Sequence, residues 1–196
     1  LNEKLEILQT KLKEIKNLHD AAALLGWDQQ VYMPPGGAEA RAEQLATLDT
    51  LAHERFTADE IGQLLTDLAG AGYEYDSDEA ALLRVARRDY DRARKLPATL
   101  VADMSRTFSL GQQIWTKARA DKDFSQFQET LTKIVDLNIQ KAEAYGYQDC
   151  IYDALLDQYE PGMKTAEVKQ VFDALKQDLV PLVQAIADRG QPVDDS

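Results

Sequence analysis

An all-α fold is predicted for this chain, a single helical domain of about eight helices with no sheet, on three observations. Apolar residues recur at three- and four-residue intervals from one end to the other, the stripe of an amphipathic helix. No segment alternates apolar and polar residues with the β-branched enrichment of a strand. Proline, glycine and capping residues fall at helix-length intervals, as helix boundaries require.

Leu5, Leu8, Leu12 and Ile15 form the first stripe, and a second helical segment runs from Ala21 to about Tyr32. It must end there, because a proline disfavours the α conformation in the residue before it, and Met33 precedes Pro34. Gly36 and Gly37 then permit dihedrals closed to other residues, or a close approach of the backbone to another surface. Ala38, Ala42, Leu45, Leu48 and Ala52 carry the next helix to about Phe56. "TADE" (Thr57 to Glu60) has the capping-box pattern, with Ile61, Leu64, Leu65 and Leu68 behind it. "GAGYEYDSDE" is a loop ending in cap residues, followed by a helix marked by Leu82, Leu83, Ala86 and Tyr90. Pro97 suits a first helical position ahead of Leu100, Val101, Met104, Phe108 and Trp115. Phe127, Leu131, Ile134 and Leu137 define another helix, with Gly146 as its stop. "DCIYDALLDQYEPGMK" is a short helix closed by Pro161 and Gly162. Thr165 begins a last long helix through Val168, Val171, Phe172, Leu175, Leu179 and Val183, which Pro181 should kink or bound. No Gly/Ser linker divides the 196 residues, so one domain over residues 1–196 is expected.

Composition narrows the function classes. Hydrophobic residues are 44% of the chain, enough to build a core. A net charge of −12 argues against nucleic-acid binding, which needs a basic face. The longest uninterrupted apolar run is "AAALL" (Ala21 to Leu25), so no membrane partner is expected. Cys150 is the only cysteine, which excludes an internal disulfide and fits a reducing, cytoplasmic location. The chain opens without methionine and closes on "GQPVDDS", and both ends read as if sequence were missing beyond them.

Catalytic patterns are scarce. "HERFT" (His53 to Thr57) begins like the zinc motif HExxH, in which two imidazoles one helical turn apart bind the metal. Here Thr57 stands where the second histidine belongs, and His19 and Cys150 are too scattered to complete a set, so no metal ligand and no zinc is expected in this chain. Among 34 acidic residues, carboxylate pairs such as Asp89 and Asp91 arise by chance and mark no acid–base couple. "RVARRDYDRARK" (Arg84 to Lys95) is explained by a solvated helix face.

One stretch carries more than a connection requires: "LLGWDQQVYMPPGGAEARAEQLATL" (Leu24 to Leu48), where large side chains precede a rigid break. Trp27, Asp28, Gln29, Met33, Arg41 and Gln44 are the candidate groove or interface residues. Asp28 and Arg41 sit on successive helices joined by a stiff turn, and a bidentate pair between them is one expectation. The other is that Asp28 caps local backbone while Arg41 pairs with Glu39 or Glu43.

This stretch, through "HERFT", resembles the N-terminal signature of the carboxypeptidase Taq family of thermostable zinc metallocarboxypeptidases. Trp27, Asp28, Gln29, Met33, Pro34, Gly36, Gly37, Arg41, Ala42, Gln44, His53 and Glu54 carry the resemblance, and "YDALLDQYEPGM" (Tyr152 to Met163) is a second match. The resemblance implies a mostly helical enzyme with a deep groove that removes C-terminal amino acids from peptide substrates. It implies zinc in the full-length enzyme, held by an HExxH helix and a downstream glutamate in a C-terminal catalytic part, none of which is present here. It also implies a homodimer. Catalytic residues are therefore expected to be none in this chain, which reads as the N-terminal region of such an enzyme, offering a groove wall or a surface that packs on the missing catalytic part. The rival reading is a stand-alone helical interaction module without hydrolytic activity. Sequence beyond Ser196 separates the two, through the presence or absence of an HExxH helix.

Overall fold

The structure is a computed structural model and describes residues 2–190. Among these residues there are eight α-helices and no strand, as the spacing of apolar residues predicts. The helices are α1 (Asn2–Val31), α2 (Ala38–Phe56), α3 (Asp59–Leu68), α4 (Asp78–Ala93), α5 (Ala98–Asp121), α6 (Ser125–Tyr145), α7 (Ile151–Leu156) and α8 (Thr165–Arg189). A single 3-10 turn, Pro35–Gly37, joins α1 to α2. No helix among the described residues is long and apolar enough to cross a membrane.

The chain gathers into two compact units, Leu1–Tyr145 and Gly146–Ser196. No Pro- or Ser-rich linker announces the boundary. It falls at Gly146, whose φ of +80° stops α6 in the left-handed conformation that glycine adopts without strain.

In the first unit, α1 is one continuous helix where the sequence suggests two segments. The residues between Ile15 and Ala21 include neither glycine nor proline, so nothing interrupts the backbone hydrogen bonds. Its N-terminal half supplies Leu5 and Leu8 to a core completed by Ile61, Leu64, Leu65 and Leu68 of α3 and by Ala86 and Tyr90 of α4. Leu8, Ile61 and Leu68 are the bulkiest of its fully enclosed side chains. A second, smaller cluster joins Leu100 and Met104 of α5 to Leu137 of α6.

Between these clusters runs α2, which packs on both α1 and α5. Its buried residues are all alanines, Ala38, Ala42 and Ala46 at four-residue spacing and then Ala52. A face without bulk lets neighbouring helices approach closely. Close approach recurs at Gly111, where a Cβ would lie 3.3 Å from Ile134 Cδ1 and Thr130 Cγ2 of α6.

The "TADE" expectation needs correcting. Ala58, not Thr57, is the N-cap of α3, and no side chain caps that end. The Thr57 hydroxyl instead donates to the carbonyl of His53 (2.8 Å) and closes the end of α2. A two-residue connection makes Thr57 the C-cap of α2, where its hydroxyl takes the preceding carbonyl and not the following amide. Pro97 is likewise the N-cap residue of α5, one place earlier than expected. The α4 cap matches the sequence, with Ser77 Oγ accepting from the Ala80 amide at 3.2 Å.

In the second unit, α7 and α8 are tied by Asp153, which is only 6% exposed. Its Oδ1 accepts from the Thr165 amide (2.7 Å) and hydroxyl (2.6 Å), so a residue of α7 caps the start of α8. Gly162, at φ +82°, shapes the intervening turn, and its amide donates to Asp157 Oδ1 at 2.8 Å. The assigned α8 runs through Pro181 to Arg189.

Candidate functional site

The break after α1 is built from its own ends. The Asp28 carbonyl accepts from the amides of both Tyr32 and Met33 at 2.9 Å and so closes α1. Pro34, with φ −65° and ψ 149°, turns the chain away, and the Gly37 amide donates to the Pro34 carbonyl (2.9 Å) to complete the 3-10 turn. Neither Gly36 nor Gly37 takes a positive φ. Gly37 is needed for proximity instead, because a Cβ there would sit 3.1 Å from Met33 Cγ. Met33 therefore folds back under the turn.

Across this turn Asp28 and Arg41 do meet. Arg41 Nη2 lies 2.6 Å from Asp28 Oδ2, with the Arg41 side chain 12% and the Asp28 side chain 35% exposed. The pair is not bidentate as anticipated. Arg41 spreads its donors over three acceptors: Nη1 donates to the Leu25 carbonyl, Nη2 to Asp28, and Nε to Gln44 Oε1 at 3.2 Å. A guanidinium offers donors in several directions, and the carbonyl of Leu25 competes for the nitrogen that a second Asp28 oxygen would need. Glu43, the rival partner, is taken by α5. Arg106 Nε and Nη2 bind its two oxygens at 2.5 and 2.9 Å. The hydrogen bond from Arg106 holds the Glu43 carboxyl below its ordinary range.

Gln29 reaches α5 as well. Its Nε2 donates to the Ser109 carbonyl (2.8 Å), and the Ser109 hydroxyl donates back to Gln29 Oε1 (3.0 Å). Gln113 Nε2 donates to the Pro35 carbonyl at 2.9 Å. The sequence reading missed Ser109 and Gln113, which lie about eighty positions from their partners and follow no motif. Trp27 stands apart from this network. It is 54% exposed and packs edge-on against Tyr32, with ring centroids 5.5 Å apart.

The structure thus brings Asp28, Arg41 and Gln44 into one hydrogen-bonded group, gives Gln29 to the α1–α5 contact, tucks Met33 under the turn and leaves Trp27 outward. Beside it opens a cleft of about 740 Å³, lined by the end of α1, Pro35, α5 and the start of α6. His53, half-buried, uses Nε2 to donate to the Leu96 carbonyl at 2.9 Å, a structural tie between α2 and the α4–α5 connection. No group of three or more His, Cys, Asp or Glu residues that could hold a metal ion occurs among the described residues. The described residues therefore do not fit a zinc centre.

Comparison with known proteins adds the family context. The model of the carboxypeptidase Taq (M32) metallopeptidase family matches residues 7–195. Thermostable carboxypeptidase 1 of Pyrococcus furiosus is 34% identical over 190 residues, covering 97% of this chain and 38% of the relative. The protein of the same name from Thermus thermophilus is 35% identical over 198 residues, covering 94% of this chain and 38% of the relative. The crystal structure of BsuCP superposes with a TM-score of 0.89 at 29% identity, over 94% of this chain and 37% of that one. This chain spans well under half the length of the curated relatives it matches.

Proposed function

Because the chain belongs to the carboxypeptidase Taq (M32) metallopeptidase family, we propose that it forms the N-terminal helical region of a zinc-dependent carboxypeptidase that releases C-terminal amino acids from peptides. The observation that carries this reading is the match over residues 7–195 to a family whose members are metallocarboxypeptidases, combined with coverage of only 38% of the first relatives' length. Zinc chemistry, in this reading, belongs to an HExxH-bearing catalytic part that this chain does not include, and no step of hydrolysis is assigned to this chain. Its own contribution is rigid shape. The Arg41 brace and the Gln29–Ser109 and Gln113–Pro35 bonds fix the end of α1 against α5, so that the cleft beside them serves as part of the wall of a peptide groove. A cytoplasmic location, expected from the single cysteine, and a homodimer, implied by the resemblance, accompany the reading, and nucleic acid has no place in it at a net charge of −12.

The test uses the full-length protein and the 196-residue chain side by side. Metal content after dialysis is measured together with the release of amino acids from the C-terminus of an unblocked peptide. The full-length protein is expected to hold zinc and release residues in order, and the chain alone to do neither. Full-length protein without release, or stoichiometric zinc on the isolated chain, overturns the proposal.

A further inference from the structure

The cleft beside Pro35 has a chemistry of its own. Its volume, about 740 Å³, lies within the size range of small-ligand and peptide sites. Its walls are already held by bonds on either side, Gln29 to Ser109 and Gln113 to Pro35, so little ordering remains for a ligand to impose. Two further glutamines on the lining, Gln30 and Gln112, are exposed, and their side-chain amides make no hydrogen bond among the described residues. A primary amide offers a donor pair and an acceptor together, the complement of a peptide group's own carbonyl and N–H. Lys117 is the one charged lining residue among those described, and its Nζ is engaged by Asp121 and Gln126. An anionic ligand would find no free cation there, and neither would the terminal carboxylate of a peptide. Met33 and Ile114 supply apolar surface, and methionine accommodates side chains of varied shape.

We propose that this cleft is a main-chain subsite for an extended peptide, in which Gln30 and Gln112 pair with peptide groups upstream of the C-terminal residue while Met33 and Ile114 accept side chains with little selectivity. The inference rests on the carboxypeptidase reading for its substrate class. The subsite itself requires neither metal nor catalysis, so it is testable on this chain.

The probe is pentaalanine, acetylated at its N-terminus and amidated at its C-terminus, titrated into the isotopically labelled 196-residue chain and followed by nuclear magnetic resonance. Shifts are expected at the side-chain amides of Gln30 and Gln112 and at the backbone amides of Met33 and Ile114. Gln30→Ala and Gln112→Ala should each weaken binding about five-fold, as loss of one ordinary hydrogen bond does. Both positions are exposed, so the variants keep the fold, which their amide spectra verify. Absence of shifts at millimolar peptide, shifts confined to another surface, or an unchanged affinity in the double variant overturns the subsite. Release of C-terminal residues by the unmodified full-length protein is scored separately: release without a peptide response at this cleft defeats the subsite alone. A response without release defeats the carboxypeptidase reading and leaves a peptide-binding cleft.

Discussion

Arg41 is the residue on which the break after α1 depends most. It is nearly buried and serves three acceptors at once, two on α1 and one on its own helix. Arg41→Ala is expected to cost about 1–3 kcal/mol in urea unfolding, since it leaves Asp28 without its cation and removes bonds to a charged group. Arg41→Lys should recover less than half of that, because one ammonium cannot reach three divergent acceptors. Full recovery by lysine would show that charge alone holds the turn. Gly62 makes a sharper demand. A Cβ there would meet Tyr90 Oη at 2.2 Å and Tyr90 Cζ at 2.8 Å, and Tyr90 is 4% exposed with its ring fixed in the core. Gly62→Ala should destabilise by about 1–3 kcal/mol through overpacking, and Tyr90→Phe in the same chain should relieve part of it by removing the nearest atom. Equal melting temperatures for the glycine and alanine chains would contradict this. The Asp28–Arg41 meeting was legible in the sequence because only a short, stiff turn separates the two residues. The Gln29–Ser109 bond was not, since 80 positions intervene and an amide–hydroxyl pair leaves no pattern in composition or spacing.

At the scale of elements, helix periods were readable from end to end, while the caps were readable only where one side chain had a single free backbone partner. Ser77 had such a partner, and Thr57 had two, the carbonyl behind it and the amide ahead. The start of α8 shows a third case: Glu167 caps it from within, accepting from the Lys164 amide at 2.8 Å, while the second carboxylate, Asp153, comes from another helix and so could not be read locally. The two bonds from Thr165, with a smaller contribution from Lys164, hold the Asp153 carboxyl below its ordinary range. A carboxyl depressed in the folded state contributes stability that is fully present above its unfolded value and is lost as pH falls through its folded value. The junction of α7 and α8 should therefore loosen from about pH 4 downward. Hydrogen exchange at the Thr165 amide, measured from pH 6 to pH 3, is expected to accelerate beyond the change seen at unrelated helix amides. In Asp153→Asn, which keeps an acceptor but no titratable group, that additional acid dependence should disappear. A Thr165 amide whose protection is independent of pH in the unmodified chain would refute the role given to Asp153.

For the whole molecule, the telling feature is the apolar stripe of α8, which α7 meets only near its start. In α8, Leu175, Leu179, Leu182 and Ile186 follow one another at four-, three- and four-residue spacing, the stripe of a helix that packs, yet they are 50, 45, 56 and 65% exposed. No residue of α8 is buried. The sequence gives this helix an apolar stripe but cannot say what the stripe meets, because periodicity encodes a face and not its partner. Contiguous apolar patches beyond a few hundred Å² are uncommon on stable monomers, and a stripe of four large side chains, with Phe172 and Val183 beside it, reaches that size. Water contact over such a stripe is costly at about 25 cal/mol per Å², so the 196-residue chain on its own should reduce it by associating with a second copy. Sedimentation is expected to show concentration-dependent self-association, and a hydrophobic dye to fluoresce in the dilute monomer and less in the associated form. Leu175→Lys with Leu182→Lys should abolish both signals while leaving circular dichroism helical, because the substituted positions are solvent-facing and lysine is a good helix former. If the unmodified chain is a monodisperse monomer without dye binding, α8 is shielded in a way its exposure does not reveal. If the lysine variant loses helicity instead of association, the stripe is an internal core of the second unit and not a surface awaiting a partner.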